Sequence, residues 1–447
     1  MNFNTLQQFR QELYECFGQN RDALFNLADA LLTETTAHSV IELTLSPLFE
    51  RKWSSLYAAL RLGKLNQARF EQTLVKFAPT PAPGQRLVLA VDASNIERPF
   101  SETSRDRGYL YVHNLPECDT PVTVGWQFST VVVVPAQASS HTYILSNRRI
   151  PTAQTPAQVA TAQLKALRPH FEERPISLGD RYYPTKDFLV GVSPDYDLLT
   201  RLKVNRVFYR PAPVPAVAAD SGKRRRGAPA KHGPRFQCKS AATHGQADRQ
   251  WAGVDEGGGK LEVSEWQGLH LREAVELSLR VIRVRRYGAS GKQRDPIESW
   301  FVWAAQSELA LSEVWATYKR RFSIEHGYRF DKQDLLWSQP RLREPEHFEL
   351  WTQVVSLVHD ELIVAEGLGL GVLRPWESRQ REISPQQLRR GLAAIMGELG
   401  SPARRCQSRG KGVGRFFGAK IEPALRYKAV KKSSKRVKKT SKRVKLA

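Results

Sequence analysis

Three carboxylates stand where acids are costly or oddly placed. Asp92 closes the apolar run LVLAVD and Asp180 closes ISLGD. An aspartate directly after buried aliphatics must be solvated, paired or bound to a cation. A loop-capping aspartate is the ordinary reading for either residue alone. The third acid, Glu325, lies in WATYKRRFSIEHGYRFDKQDLLW. On a helix turning about 100° per residue, Tyr318, Arg321 and Lys332 fall within about 40° of Glu325. A strip of Tyr, Arg, Glu and Lys is no core stripe. A solvated face with an Arg321–Glu325 ion pair would explain its charges, but not the apolar Phe322, Ile324, Tyr328 and Phe330 around it. Three hard-oxygen donors of this kind suit Mg²⁺, which keeps several waters and needs few protein ligands.

The elements that must position these residues follow from periodicity. Short β-branched runs predict strands at 87–92, 121–135, 143–150, 176–180 and 204–210. Helical spacing predicts helices over 155–171, 185–202, 312–337, 346–366 and 385–399, with Thr155-Pro156 and Ser312 as starts. Residues 1–80 read as a helical N-terminal domain, either a DNA-binding module or a cap on the main core. Residues 85–210 and 306–400 read as two parts of an α/β core. Between them, 211–305 is β-rich and reads as an insertion. The stretch 401–447 is a basic, disordered tail, with ten basic residues and no acid from Lys428 onward.

Composition narrows the partner. Lys and Arg total 68 against 45 acids, a net charge of +23. Such a field favours polyanions, nucleic acid before anionic membrane. The run Lys223, Arg224, Arg225 and Arg226 is the densest basic patch outside the tail. Four scattered cysteines without a CxxC argue against a disulfide framework and for a reducing cytoplasm. His232, Cys238 and His244 match no common zinc spacing. RGKGVGRFFG lacks the phosphate-loop spacing. The start MNFNTLQQFRQELYECF carries no secretory pattern, and no apolar run is long enough to span a bilayer.

Tyr318-x2-Arg321-x3-Glu325-x6-Lys332 resembles the YREK signature of DDE transposases from bacterial insertion sequences. DASNIERP (92–99), LGDRYYPT (178–185) and LREPEHFELW (342–351) extend the resemblance from about Leu87 to Pro375. The resemblance implies an RNase H-like mixed sheet flanked by helices, with Asp92, Asp180 and Glu325 converging on two Mg²⁺ ions (Mn²⁺ as substitute). It implies cleavage at element ends and strand transfer into double-stranded DNA, by a homodimer assembled on that DNA in the bacterial cytoplasm. It assigns Tyr318, Arg321 and Lys332 to DNA phosphates. In similar enzymes the insertion carries a tryptophan that helps open DNA; Trp251 and Trp266 are the candidates. Two rivals share the site: a nuclease without strand transfer, and an inactive DNA-binding derivative.

Overall fold

The computed structural model describes residues 2–112, 121–213, 230–288, 293–380, 382–407, 417–418, 420 and 422–431. The basic run 223–226 and residues 432–447 of the tail therefore lie outside the described residues. The chain opens with helices α1 (Phe3–Tyr14), α2 (Arg21–Thr33), α3 (Trp53–Leu62) and α4 (Gln67–Lys76). Next come β1 (Val88–Glu97), β2 (Gly108–Tyr111), β3 (Val122–Val133), β4 (Tyr143–Ile150), α5 (Pro156–Leu167), β5 (Ile176–Gly179), α6 (Lys186–Val192) and β6 (Asp197–Leu202).

β3 lies antiparallel between β4 and β1. β5 and β6 continue the sheet in parallel with β1. The order β4-β3-β1-β5-β6, with β3 reversed, is the mixed sheet expected of an RNase H-like core. β1 also explains why its sequence is apolar without interruption. Leu89 and Val91 enter one hydrophobic cluster, while Val88 and Ala90 enter another. With side chains alternating along the strand, both sheet faces are covered, so both parities must be apolar.

Residues 197–202 differ from the helix expected over 185–202: the helix ends at Val192 and the chain returns as β6. Pro194 interrupts the helical run, and DLLTRL gains sheet pairing to β5 on one side. Tertiary pairing here overrides local propensity.

The β-rich stretch forms β7 (Val207–Tyr209), β8 (Arg235–Gln237), β9 (Arg249–Val254), β10 (Lys260–Leu271), β11 (Ala274–Tyr287) and β12 (Gln293–Ala304). It does not stand apart. β12 pairs with β6, so the core sheet runs on through β12, β11 and β10. Then follow α7 (Val314–Lys319), a 3₁₀ turn at Arg320–Phe322, α8 (Ser323–Gln333), α9 (Pro345–Ala365) and α10 (Pro385–Leu399).

The N-terminal helices share the core of the rest. α1, α2 and α3 pack against α9, and α10 packs on both α2 and α9. Arg10 of α1, 1% exposed, forms ion pairs with Asp29 of α2 and Glu361 of α9. Removing one partner of such a buried set costs about 3–5 kcal/mol. No helix among the described residues is long and apolar enough to cross a membrane.

Candidate active site

Strand register brings the first two acids together. Val91 pairs with Gly179 across parallel strands β1 and β5. Asp92 and Asp180 follow directly, side by side at a strand spacing of about 4.8 Å; Asp180 ends its strand, whereas Asp92, expected to end one, lies inside β1, which runs on to Glu97 paired with β3. This is the carboxyl end of the parallel pair, where open α/β sheets gather their sites. Asp180 is fixed by its own turn: its Oδ1 accepts the Tyr182 backbone N–H at 2.8 Å. Thr185 then caps α6 by accepting from the Phe188 N–H.

α8 carries Glu325 over this pair. Tyr328, one turn beyond Glu325, donates its hydroxyl to the Asp92 carbonyl at 3.0 Å. Lys332 donates to the Asn95 carbonyl at 2.9 Å. Both contacts pin α8 along β1. From behind, buried His359 of α9 meets Asp331 of α8 at 2.6 Å. Gly327 permits this close seat, since a Cβ there would stand 2.6 Å from Thr142 Oγ1.

Arg321 joins the acids. Its guanidinium lies 3.2 Å from Asp92 Oδ2 and 2.8 Å from Glu325 Oε1. Asp92, Asp180, Arg321 and Glu325 line one cleft of about 720 Å³, together with Asn95 and Tyr182. Burial pushes the Asp92 carboxyl up to about 6, with Arg321 opposing and the charges of Asp180 and Glu325 adding. Burial likewise raises Asp180, against the Tyr182 hydrogen bond and Arg321. Arg321 is itself raised: its burial is outweighed by Tyr318 and the three acids. The cleft thus holds more negative charge than one guanidinium comfortably balances.

The donor set is all carboxylate, which fits a hard divalent ion. The three acids are spread wider than one ion spans. Among the described residues, the single group with ligand atoms all within 4.8 Å of one another is His141, Glu366 and Glu382. There each imidazole nitrogen faces a different glutamate, Nε2 toward Glu366 at 3.6 Å and Nδ1 toward Glu382 at 3.4 Å. That group takes one buried ring nitrogen and an oxygen from each of two exposed glutamates, and it lies apart from the cleft of the three acids. A pair of ions about 3.5–4 Å apart suits the wider spread of Asp92, Asp180 and Glu325.

Two expected residues sit differently. Tyr318 is 1% exposed, packed at 4.7 Å from the Phe301 ring and beneath Arg321. Its expected phosphate contact is not available from that position. It lies on α7, which a 3₁₀ turn at Arg320–Phe322 separates from α8, and it packs into the second hydrophobic cluster. Its place supports Arg321. Trp266 is 2% exposed and stacks on Trp300 at 5.7 Å in the core of the insertion, so it does not present a ring to DNA. Trp251 packs partly buried against the second hydrophobic cluster.

Tyr328 and Asn95 were missed in the sequence. Tyr328 was legible, lying three residues from Glu325 on the same helix side. Asn95 lies within DASNIERP, but only the pairing of β1 with its neighbours sets it on the cleft.

A family model described as "DDE superfamily endonuclease" matches residues 12–272, more than half the chain. The matched span holds Asp92 and Asp180 and stops before Glu325. Among solved structures, a piggyBac transposase synaptic complex with hairpin DNA, determined by cryo-EM, is similar at 10% identity and a TM-score of 0.40. That likeness covers 86% of this chain and 73% of the other. A search of curated proteins found no match.

Proposed function

Because the chain belongs to the DDE superfamily endonucleases, we propose that it is a transposase of a bacterial insertion sequence, in the YREK branch. One observation carries the reading: the register Val91↔Gly179 sets Asp92 beside Asp180, and Arg321 ties Glu325 to Asp92 in the same cleft. Asp92, Asp180 and Glu325 would hold Mg²⁺ ions there, Asp92 as the shared ligand, and the bound ions would activate the attacking oxygen and stabilise the leaving one.

The protein's own residues do the rest. Arg321 offers a planar fork matched to a phosphate, and its present partners are the carboxylates that the ions would engage. Lys332, half-buried and held against β1, supplies a point charge beside the cut. Burial lowers its proton affinity, and the nearby Glu97 and Asp331 oppose that. Water attacks the phosphorus at the element end, and the 3′ oxygen departs with a proton. The freed 3′-hydroxyl then attacks a target phosphorus, joining the strands and releasing a target 3′-hydroxyl. No covalent enzyme intermediate is required. Lys223–Arg226 would bind element-end DNA, the basic tail would add nonspecific DNA affinity, and the protein would act as a homodimer on paired ends.

The test is a two-part assay with element-end DNA in Mg²⁺. Wild type nicks the end and joins a pre-cut end to target, while Asp92→Ala binds but does neither. Nicking without joining would leave a nuclease. Equal turnover by Asp92→Ala would end the proposal.

A further inference from the structure

Residues 134–142 connect β3 to β4, and His141 stands near the end of that connection. It is only 8% exposed, although an imidazole carries a polar nitrogen on each side of its ring. Nδ1 lies 3.3 Å from Ser139 Oγ. Nε2 is buried and has no hydrogen-bond partner among the described residues. A buried polar atom left in that state calls for an explanation. Glu366 Oε1 faces Nε2 at 3.6 Å, too far for a hydrogen bond. Glu382 Oε2 approaches the ring from the Nδ1 side at 3.4 Å. Glu366 opens the 3₁₀ turn after α9, and Glu382 lies in the link from there to α10. Their side chains are 42% and 59% exposed. Two arginines line the same cavity of about 240 Å³, but both are engaged elsewhere. Arg320 donates to the Val134 and Pro135 carbonyls, and Arg86 pairs with Asp197.

We propose that His141, Glu366 and Glu382 form a second metal site, for a transition-metal dication of the Zn²⁺ class. One ring nitrogen and one oxygen from each glutamate lie within 4.8 Å of one another. Tetrahedral ligands bound at about 2.0–2.1 Å stand about 3.4 Å apart. The 3.6 Å between Nε2 and Glu366 is close to that spacing. The orphaned Nε2 is the donor, while the Ser139 hydroxyl at Nδ1 fixes the ring and its tautomer. Glu382, exposed and outside any helix, has the freedom to close the third position. Water takes a fourth. Imidazole with two carboxylates suits zinc-like ions, whereas Mg²⁺ prefers oxygen alone. The ion would tie together three segments distant in sequence: the β3–β4 connection, the end of α9 and the link to α10. That connection also holds the first residue of α8, because the Ser139 N–H donates to Ser323 Oγ at 3.1 Å. The helix carrying Glu325 is thereby braced from a point outside the cleft of the three acids, whatever chemistry that cleft performs.

The experiment uses the full-length protein, stripped of metal and then held in millimolar Mg²⁺ to fill the carboxylate cleft. Zn²⁺ is titrated by calorimetry and Co²⁺ by visible absorption. Wild type should bind Zn²⁺ and melt at a higher temperature with it, and Co²⁺ should give the d–d bands of a low-coordinate site. Glu366→Gln and Glu382→Gln change exposed side chains and should leave the fold intact. Each should weaken Zn²⁺ binding by at least about ten-fold and flatten the Co²⁺ bands. His141→Gln should do the same, whereas Asp92→Asn should keep both signals. No Zn²⁺ binding by wild type overturns the proposal. So does an isotherm unchanged in the double variant Glu366→Gln, Glu382→Gln. Loss in Asp92→Asn but not in Glu366→Gln would put the ion in the catalytic cleft, which overturns the second site and leaves the transposase reading intact.

Discussion

Asp92→Asn should make the metal-free protein more stable at neutral pH while removing its chemistry. The Asp92 side chain is 19% exposed, and its carboxyl titrates near 6 rather than 3.8, chiefly through burial. A folded-state value above the unfolded one means that the native state holds the proton longer. Stability from this group is complete below about pH 4 and is lost as pH rises through 6. The gap between 3.8 and about 6 corresponds to roughly 3 kcal/mol. Asparagine never ionises and escapes that loss, although Arg321 gives up one partner. Urea unfolding in EDTA at pH 4.5 and 7.5 measures this directly. The stability of Asp92→Asn relative to wild type should improve by about 1–3 kcal/mol between those pH values. Millimolar Mg²⁺ should then stabilise wild type at pH 7.5 and have little effect on the variant. Parallel pH profiles, or equal Mg²⁺ stabilisation of both proteins, would refute the claim that Asp92 is a strained acid awaiting a cation.

Other predictions follow from the same geometry. Glu325→Ala should abolish cleavage and joining with little loss of DNA affinity, read by gel assays and filter binding; normal turnover would break the assignment. His359→Gln should destabilise the fold by about 3–5 kcal/mol, because it leaves Asp331 buried without its partner. Burial lowers the His359 proton affinity, but Asp331 outweighs it and carries the imidazole up to about 9. The pair's contribution should therefore be present at pH 6 and fade as pH rises through 9, a fade absent from the variant. Gly327→Val should push α8 off Thr142 and weaken Mg²⁺ binding in calorimetry, while Gly397→Ala, where nothing lies within 4 Å, should not. Chelation should stop nicking, and Mg²⁺ or Mn²⁺ should restore it.

The sequence by itself fixed the chemical inventory. Acids ending apolar runs marked Asp92 and Asp180, because charge beside buried aliphatics needs a reason. Helical spacing put Arg321, Glu325 and Lys332 together, and the helices expected over 346–366 and 385–399 form at 345–365 and 385–399. These signals are local, so local rules read them. Tertiary structure decided the rest. Parallel pairing of Val91 with Gly179 made two distant aspartates neighbours. Pairing to β5 and β12 turned 197–202 from a helix-like run into a central strand. Packing against Phe301 took Tyr318 into the core, and sheet continuity buried Trp266 while leaving Tyr182 in the cleft. Each outcome depends on partners far along the chain, whose pairing energy outweighs a residue's own preference.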